Sequence, residues 1–178
     1  MKGTAVAAFG LLIVSGLPAS LFAKGQTDKI TIQGDGLTTP LEITDLEIRQ
    51  FEVWAGPGVW VNGVEQREGF IINWSKGVIA EPPTGLQHYQ VRFYSKLPGE
   101  RAIYQVIYAV SYDYNPSMNH GYVYLPGTTD ERFKINGRMW HGHGFEGNWA
   151  YATRAWESFV RPLIAKARAA STSHYDAR

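Results

Sequence analysis

The stretch that decides the fold is Ala102-Ile-Tyr-Gln-Val-Ile-Tyr-Ala-Val-Ser-Tyr112. Its apolar residues occupy both odd and even positions, which is typical of a central strand buried on both faces. Before it, residues 87–94 alternate between apolar and polar side chains, and Pro98-Gly99 turns the chain. After it, Asn115-Pro116 makes a turn and residues 121–125 predict a returning strand. Strands joined by such short turns form an antiparallel meander.

Shorter signals lie on both sides of this meander. β-Branched or apolar residues predict strands over 29–33, 40–44 and 69–74, and residues 75–87 predict a loop. The dipeptides Asn62-Gly63 and Asn136-Gly137 each predict a hairpin, because a type I′ turn needs positive φ at both central positions. Asp45 is placed to cap a brief helix over 46–51, with a strand as the alternative.

One strong helix follows near the C-terminus. Its apolar residues repeat with helical spacing at Trp156, Phe159, Val160, Leu163, Ile164 and Ala167. Thr153 is the expected N-cap, Pro162 lies opposite the apolar stripe, and the tail 171–178 is expected to fray. The pattern predicts the α+β class: a twisted antiparallel β-sheet (meander) with one C-terminal amphipathic helix packed on it.

The first residues indicate export. Lys2, an uncharged apolar run from Ala5 to Leu17, and Ala23 before Lys24 follow the order of a secretory signal peptide. The sequence therefore predicts a signal peptide over 1–23, a single domain over 24–178, and a secreted or periplasmic location. The alternative is an uncleaved N-terminal anchor. No later segment approaches transmembrane length, so no permanent membrane span is expected after cleavage.

Composition excludes several classes of function. The 178 residues carry a formal net charge of +1 and no run of like charges, which argues against a nucleic-acid-binding protein. Cysteine is absent, so disulfides, cysteine-ligated metals and cysteine nucleophiles are excluded. The 6 Trp, 10 Tyr and 8 Phe beside 19 Gly indicate a sheet-rich protein with tight turns.

Four stretches carry a resemblance to known proteins: residues 30–37, 40–45, 89–94 and 121–127. They resemble a group of secreted bacterial proteins of unknown function. The resemblance implies an extracytoplasmic bacterial protein, and it implies no activity and no catalytic residues.

Tyrosines on the predicted central strands form the candidate binding surface. Period two places Tyr104, Tyr108 and Tyr112 on one face of the central strand, and Tyr122 and Tyr124 on one face of the next. The apolar stripe of the helix is expected to cover the side that holds Tyr89, Val91, Phe93, Ile103 and Ile107, which leaves the tyrosines facing solvent. Such a face can stack on an extracellular glycan or bind a peptide. The alternative is cross-strand aromatic pairing that only stabilises the sheet.

A second hypothesis rests on histidines. His141 and His143 point the same way if extended, and Glu146 or His120 would complete a site for a divalent metal such as zinc. The alternative is a glycine-rich surface loop with solvated histidines. Nucleophile, phosphate-loop and dinucleotide motifs are absent, so no catalytic residue is predicted. The sequence favours a secreted, non-catalytic binding or structural module without a cofactor, with a metal-dependent hydrolytic enzyme as the alternative.

Overall fold

The computed structural model describes residues 26–53, 55–56, 60–65, 68–99, 101–136 and 145–175. The predicted signal peptide, His141 and His143 lie outside these residues. The strands are β1 Lys29–Gly34, β2 Leu41–Ile43, β3 Trp60–Val61, β4 Val64–Glu65, β5 Glu68–Gly69, β6 Ile72–Asn73, β7 Val78–Ile79, β8 Gln87–Lys96, β9 Tyr104–Tyr114, β10 Gly121–Tyr124 and β11 Trp149–Tyr151. The helices are α1 Phe133–Asn136 and α2 Arg154–Tyr175, with 3-10 turns at Leu46–Gln50 and Trp74–Lys76.

A seven-stranded antiparallel sheet forms the body of the molecule, in the order β2-β1-β8-β9-β10-β11-β7. The α+β prediction is confirmed, and the run β8 to β10 is the predicted meander, which continues into the unpredicted strand β11. The β1–β2 hairpin extends one side of the sheet through pairing of β1 with β8. β7 forms the other edge. Within the described residues, no helix is both long and apolar enough to cross a membrane.

Helix α2 covers one face of the sheet, which we call the inner face. Trp156 is fully buried there, with its ring centroid 5.2 Å from Phe51, 6.2 Å from Phe93 and 5.7 Å from Tyr112. Val160 and Ile164 continue the buried stripe. The predicted apolar stripe therefore forms the contact between helix and sheet.

Both ends of α2 are held by hydrogen bonds. The backbone N–H of Trp156 donates to Thr153 Oγ1 at 3.2 Å, so the predicted N-cap is confirmed. At the other end the helix continues to Tyr175, and the hydroxyl of Ser171 lies 3.1 Å from that of Thr38 in the turn between β1 and β2. This contact ties Ser171 to the turn between β1 and β2, and the expectation that the tail 171–178 frays stays a prediction.

The two Asn-Gly dipeptides have different outcomes. Asn62 and Gly63 adopt φ of 51° and 77° between β3 and β4, as a type I′ hairpin requires. Residues 133–136, by contrast, form helix α1, so the predicted strand before Asn136 is wrong. The Asn136 side chain explains this difference: it accepts from the N–H of Ala109 and donates to its carbonyl, both at 2.8 Å. Beyond the end of β10, the Asn136 amide thus makes the hydrogen bonds to β9 that a neighbouring strand would otherwise make.

The predicted strand over 69–74 is instead a tight hairpin of β5 and β6. Phe70 and Ile71 form its turn, and both are buried. Phe70 adopts a positive φ of 55°, and its ring centroid lies 4.8 Å from Phe93 and 5.1 Å from Tyr108. A positive φ is costly for a bulky residue, and burial of the aromatic ring offsets this cost. The predicted loop 75–87 likewise contains the short edge strand β7.

The stripe of α2 predicts a graded response to truncation. Ile164 is fully buried, whereas Leu163 is only partly buried at the margin of the core. We expect Ile164→Ala to lower the free energy of unfolding by about 2–5 kcal/mol, the range for deleting buried aliphatic groups. Leu163→Ala should cost clearly less. Urea denaturation measures both values, and equal losses would mean that the helix is rotated relative to this packing.

Candidate functional site

A β-bulge on β9 separates the predicted tyrosine row into two. Phe93 of β8 pairs with Tyr108, but Tyr94 pairs with Val106, which leaves Ile107 without a partner on β8. One extra residue reverses the alternation of side chains beyond it. Tyr104 and Tyr108 therefore lie on opposite faces of the sheet, although period two alone places them on the same face.

Tyr108 and Tyr112 belong to the inner face, so the expectation that they face solvent is wrong. Each is at most 1% exposed. Tyr89 pairs directly with Tyr112, and Phe93 pairs with Tyr108, which puts Tyr108 and Tyr112 on the same side as the apolar residues of β8. The hydroxyl of Tyr112 donates to Glu157 Oε1 at 2.9 Å. Burial raises the pKa of the Tyr112 phenol far above its usual value, and the charge of Glu157 raises it further.

The raised phenol pKa predicts a loss of stability in alkali. Above about pH 10 a tyrosine ionises in the unfolded chain but not in the folded one, so unfolding releases a proton. Each such buried tyrosine then lowers the free energy of unfolding by about 1.4 kcal/mol per pH unit. Tyr112→Phe removes one ionising group. Because the unfolded phenol is only half ionised at pH 10, the fall in stability between pH 10 and 11 should become smaller by about 1 kcal/mol.

Denaturant titrations at pH 8, 10 and 11 measure this effect. The control Val110→Ala truncates a fully buried, non-ionising neighbour on the same strand. It should lower stability at every pH without changing the slope. An unchanged slope in Tyr112→Phe would contradict the assignment of Tyr112 to the core.

The opposite face of the sheet, which we call the outer face, holds two rows of directly paired residues across four strands. The rows are His88, Asp113, Tyr122 and Tyr151, and Gln90, Ser111, Tyr124 and Trp149. Paired residues on neighbouring strands lie about 5 Å apart, so each row forms a continuous strip. In both rows the two residues of β8 and β9 are polar and the two of β10 and β11 are aromatic.

The aromatic half consists of two cross-strand pairs. Tyr124 and Trp149 have ring centroids 5.1 Å apart, and Tyr122 and Tyr151 have centroids 5.5 Å apart. Tyr122 is buried, while the other three are partly exposed. Tyr122 and Tyr124 thus lie on the outer face, as expected, but Tyr122 is only 6% exposed, so the expectation that it faces solvent is wrong. Trp149 and Tyr151 were missed because a glycine-rich stretch precedes β11, although the alternation in Trp149-Ala-Tyr151 was a usable signal.

The polar half is organised by a buried carboxylate. Asp113 is 2% exposed, and its Oδ2 lies 2.7 Å from Nδ1 of His88. Burial raises the pKa of Asp113, while the hydrogen bond and charge of His88 act in the opposite direction. When the neutral imidazole donates from Nδ1, its Nε2 is left as an acceptor. The carboxylate thereby orients a largely exposed histidine side chain.

Ser111 is held by a different network. Arg132 Nη1 donates to Ser111 Oγ at 2.8 Å, and the same guanidinium donates from Nε and Nη2 to Asp130. Hydrogen bonds from Arg132 lower the pKa of Asp130. Ser111 is thus bonded to Arg132 and not to His88. Ser111, His88 and Asp113 therefore do not form the hydrogen-bonded chain of a serine hydrolase among the described residues.

A shallow cavity of about 290 Å³ opens where the polar and aromatic halves meet. Its wall includes His88, Gln90, Ser111, Asp113 and Trp149. An indole beside hydrogen-bonding imidazole, amide and hydroxyl groups suits a ligand with apolar ring faces and hydroxyl edges.

Tyr104 lies apart from this cavity. The ammonium of Lys29 lies 4.9 Å from the centroid of Tyr104 and 4.7 Å from that of Tyr94. The two rings hold a cation at the far end of β8 and β9. Of the five predicted tyrosines, only Tyr122 and Tyr124 lie in the paired rows.

Of the four predicted metal ligands, only His120 and Glu146 lie within the described residues. No group of three or more His, Asp or Glu side chains there could hold a metal ion. His120 packs against Tyr151, with ring centroids 5.7 Å apart. Burial, and in second place the charge of Glu146, raises the pKa of Tyr108. His141 and His143 lie outside the described residues.

Comparison of the chain with protein-family models, with curated proteins and with solved structures gave no match in any of the three. The resemblance to secreted bacterial proteins stays a prediction.

Proposed function

We propose that this protein is a non-catalytic binding module that recognises a glycan on the outer face of its sheet. The observation that carries the proposal is the side-by-side arrangement of Trp149 and Tyr124 with the polar cavity of His88, Asp113 and Gln90. Sugars present apolar C–H faces to aromatic rings and hydroxyl groups to polar side chains. The two halves of the outer face supply these two kinds of contact within one cavity.

The arrangement favours binding of a saccharide over a peptide. The outer face offers side chains from central strands whose backbone groups are already paired within the sheet. Peptides that add to a sheet require a free strand edge for their backbone hydrogen bonds. A glycan needs only the rings and polar groups that project from the face.

The central test truncates the indole. Trp149→Ala should weaken binding about tenfold, or about 1.4 kcal/mol, because it removes the largest ring beside the cavity. Calorimetry or affinity electrophoresis against a panel of soluble oligosaccharides measures the change. The matched control is Trp60→Ala, which truncates a tryptophan that is 65% exposed in the β3–β4 hairpin and outside the cavity.

The two variants distinguish binding at a specific site from non-specific binding to exposed aromatic rings. Equal losses in both, or binding by Trp149→Ala at full strength, would contradict the outer-face site. Binding of peptides but not of any saccharide would show that the ligand class is wrong. Metal at one equivalent in untagged protein would instead favour the metal-dependent hydrolase.

Export is part of the proposal. The apolar run from Ala5 to Leu17 and the small residues before Lys24 support a secreted or periplasmic location in a bacterium. We expect protein from the native host to begin near Lys24, as measured by N-terminal sequencing. An intact Met1 on a membrane-bound species would show that the segment is an anchor.

A further inference from the structure

A second cavity lies where the chain leaves β11 and enters α2. It encloses about 430 Å³, and its wall includes Asn73, Lys76, Asn119, His120 and Arg154. It adjoins the outer face through Tyr151, whose ring contacts both Tyr122 in the aromatic half and His120 in the cavity wall.

The cavity carries positive charge that the described residues do not neutralise. Lys76 and Arg154 are exposed, and within the described parts of the chain neither forms an ion pair with a carboxylate. The ammonium of Lys76 instead lies 4.8 Å from the centroid of Tyr151. Helix α2 begins at Arg154, so the positive end of its dipole adds to the same potential.

Among the described residues, Glu157 is the one acid in the cavity wall, and Arg161 neutralises its charge. Glu157 forms an ion pair with Arg161 one turn further along α2 and accepts the hydroxyl of Tyr112. Its charge therefore cancels that of Arg161. Lys76 and Arg154 thus have no carboxylate partner within the part of the chain that the structure describes, and the amides of Asn73 and Asn119 line the same wall.

We propose that this cavity binds the anionic group of an acidic saccharide, so that the ligand of the outer face is a charged glycan. The inference rests on the proposed function and names its ligand class. Lys76 and Arg154 pair with the anionic group, the Tyr151 ring packs against the sugar to which it is attached, and the asparagine amides bind hydroxyls. The volume exceeds that of a small inorganic ion and accommodates one sugar unit.

The experiment compares charged saccharides with their neutral counterparts on the full domain. One pair is an oligogalacturonate and its methyl ester, and the other is a sugar phosphate and the free sugar. The charged member of at least one pair should bind ten times more tightly or better, and the preference should shrink between 50 and 500 mM NaCl. The pair that responds identifies carboxylate or phosphate as the anionic group.

Variants that remove one positive charge test whether the cavity causes the preference for charged saccharides. Lys76→Gln and Arg154→Gln should each reduce binding of the charged member at least fivefold and leave the neutral member unchanged. Lys166→Gln is the matched control, because it removes the same charge from an exposed site about 18 Å further along α2. Thermal unfolding verifies that all three variants are folded.

Two results would overturn the inference: equal binding of charged and neutral members, or a preference that survives both cavity variants. These failures are distinct from failure of the glycan-binding proposal. In that case no saccharide binds, or Trp149→Ala leaves saccharide binding unchanged.

Discussion

The packing of Trp156 against the sheet determines which side chains remain accessible. Its ring contacts Phe51, Phe93 and Tyr112, and it is fully buried. A single helix covers only one face of a sheet. Because Trp156 packs on the face that holds Phe93, that inner face becomes the core side of every paired strand. The residues that alternate with the inner-face residues along each strand then point to the outer face. The two rows of polar and aromatic residues follow from this one contact and from the register of the strands.

The sequence predicted the elements well where a period extended over many residues. The stripe of α2 and the alternation of β8 specify both the structure and the buried side. The face of the sheet on which Tyr108 and Tyr112 lie was not predictable in the same way, because tyrosine is compatible with a buried face and with an exposed one. The bulge at Ile107 then broke the parity between Tyr104 and Tyr108. The apolar stripe of α2 offers no polar partner to a tyrosine hydroxyl, but Glu157, next to Trp156 and off the stripe, accepts a hydrogen bond from the hydroxyl of Tyr112.

Short elements escaped prediction for a different reason. β7 has two residues and shows no period, and the alternation of β11 extends over only three residues, which is too short to predict a strand by itself. They form because neighbouring strands supply their hydrogen bonds. Those strands are distant in sequence, so the local residues do not reveal the pairing. Asn136 is another case in which the contact that decides the structure is distant in sequence. Its dipeptide favours a turn, but its amide satisfies both backbone groups of Ala109, and no local pattern reveals that partner. The outer-face site combines β8 and β9, which were predicted, with β11, which was not.

The inner and outer faces are connected at the start of α2. Glu157 lies within hydrogen-bond reach of Tyr112, ion-paired with Arg161 and close to Gly121. A side chain at position 121 would collide with Glu157 and with the Tyr112 ring, so the close approach of β10 to α2 requires glycine there. Arg161 is itself held by the carbonyl of Met118 and lies over the Tyr114 ring. These contacts pair the Glu157 carboxylate with Arg161, and among the described residues no ion pair joins it to Lys76 or Arg154. The polar contacts that stabilise the helix therefore also preserve the positive charge of the adjoining cavity.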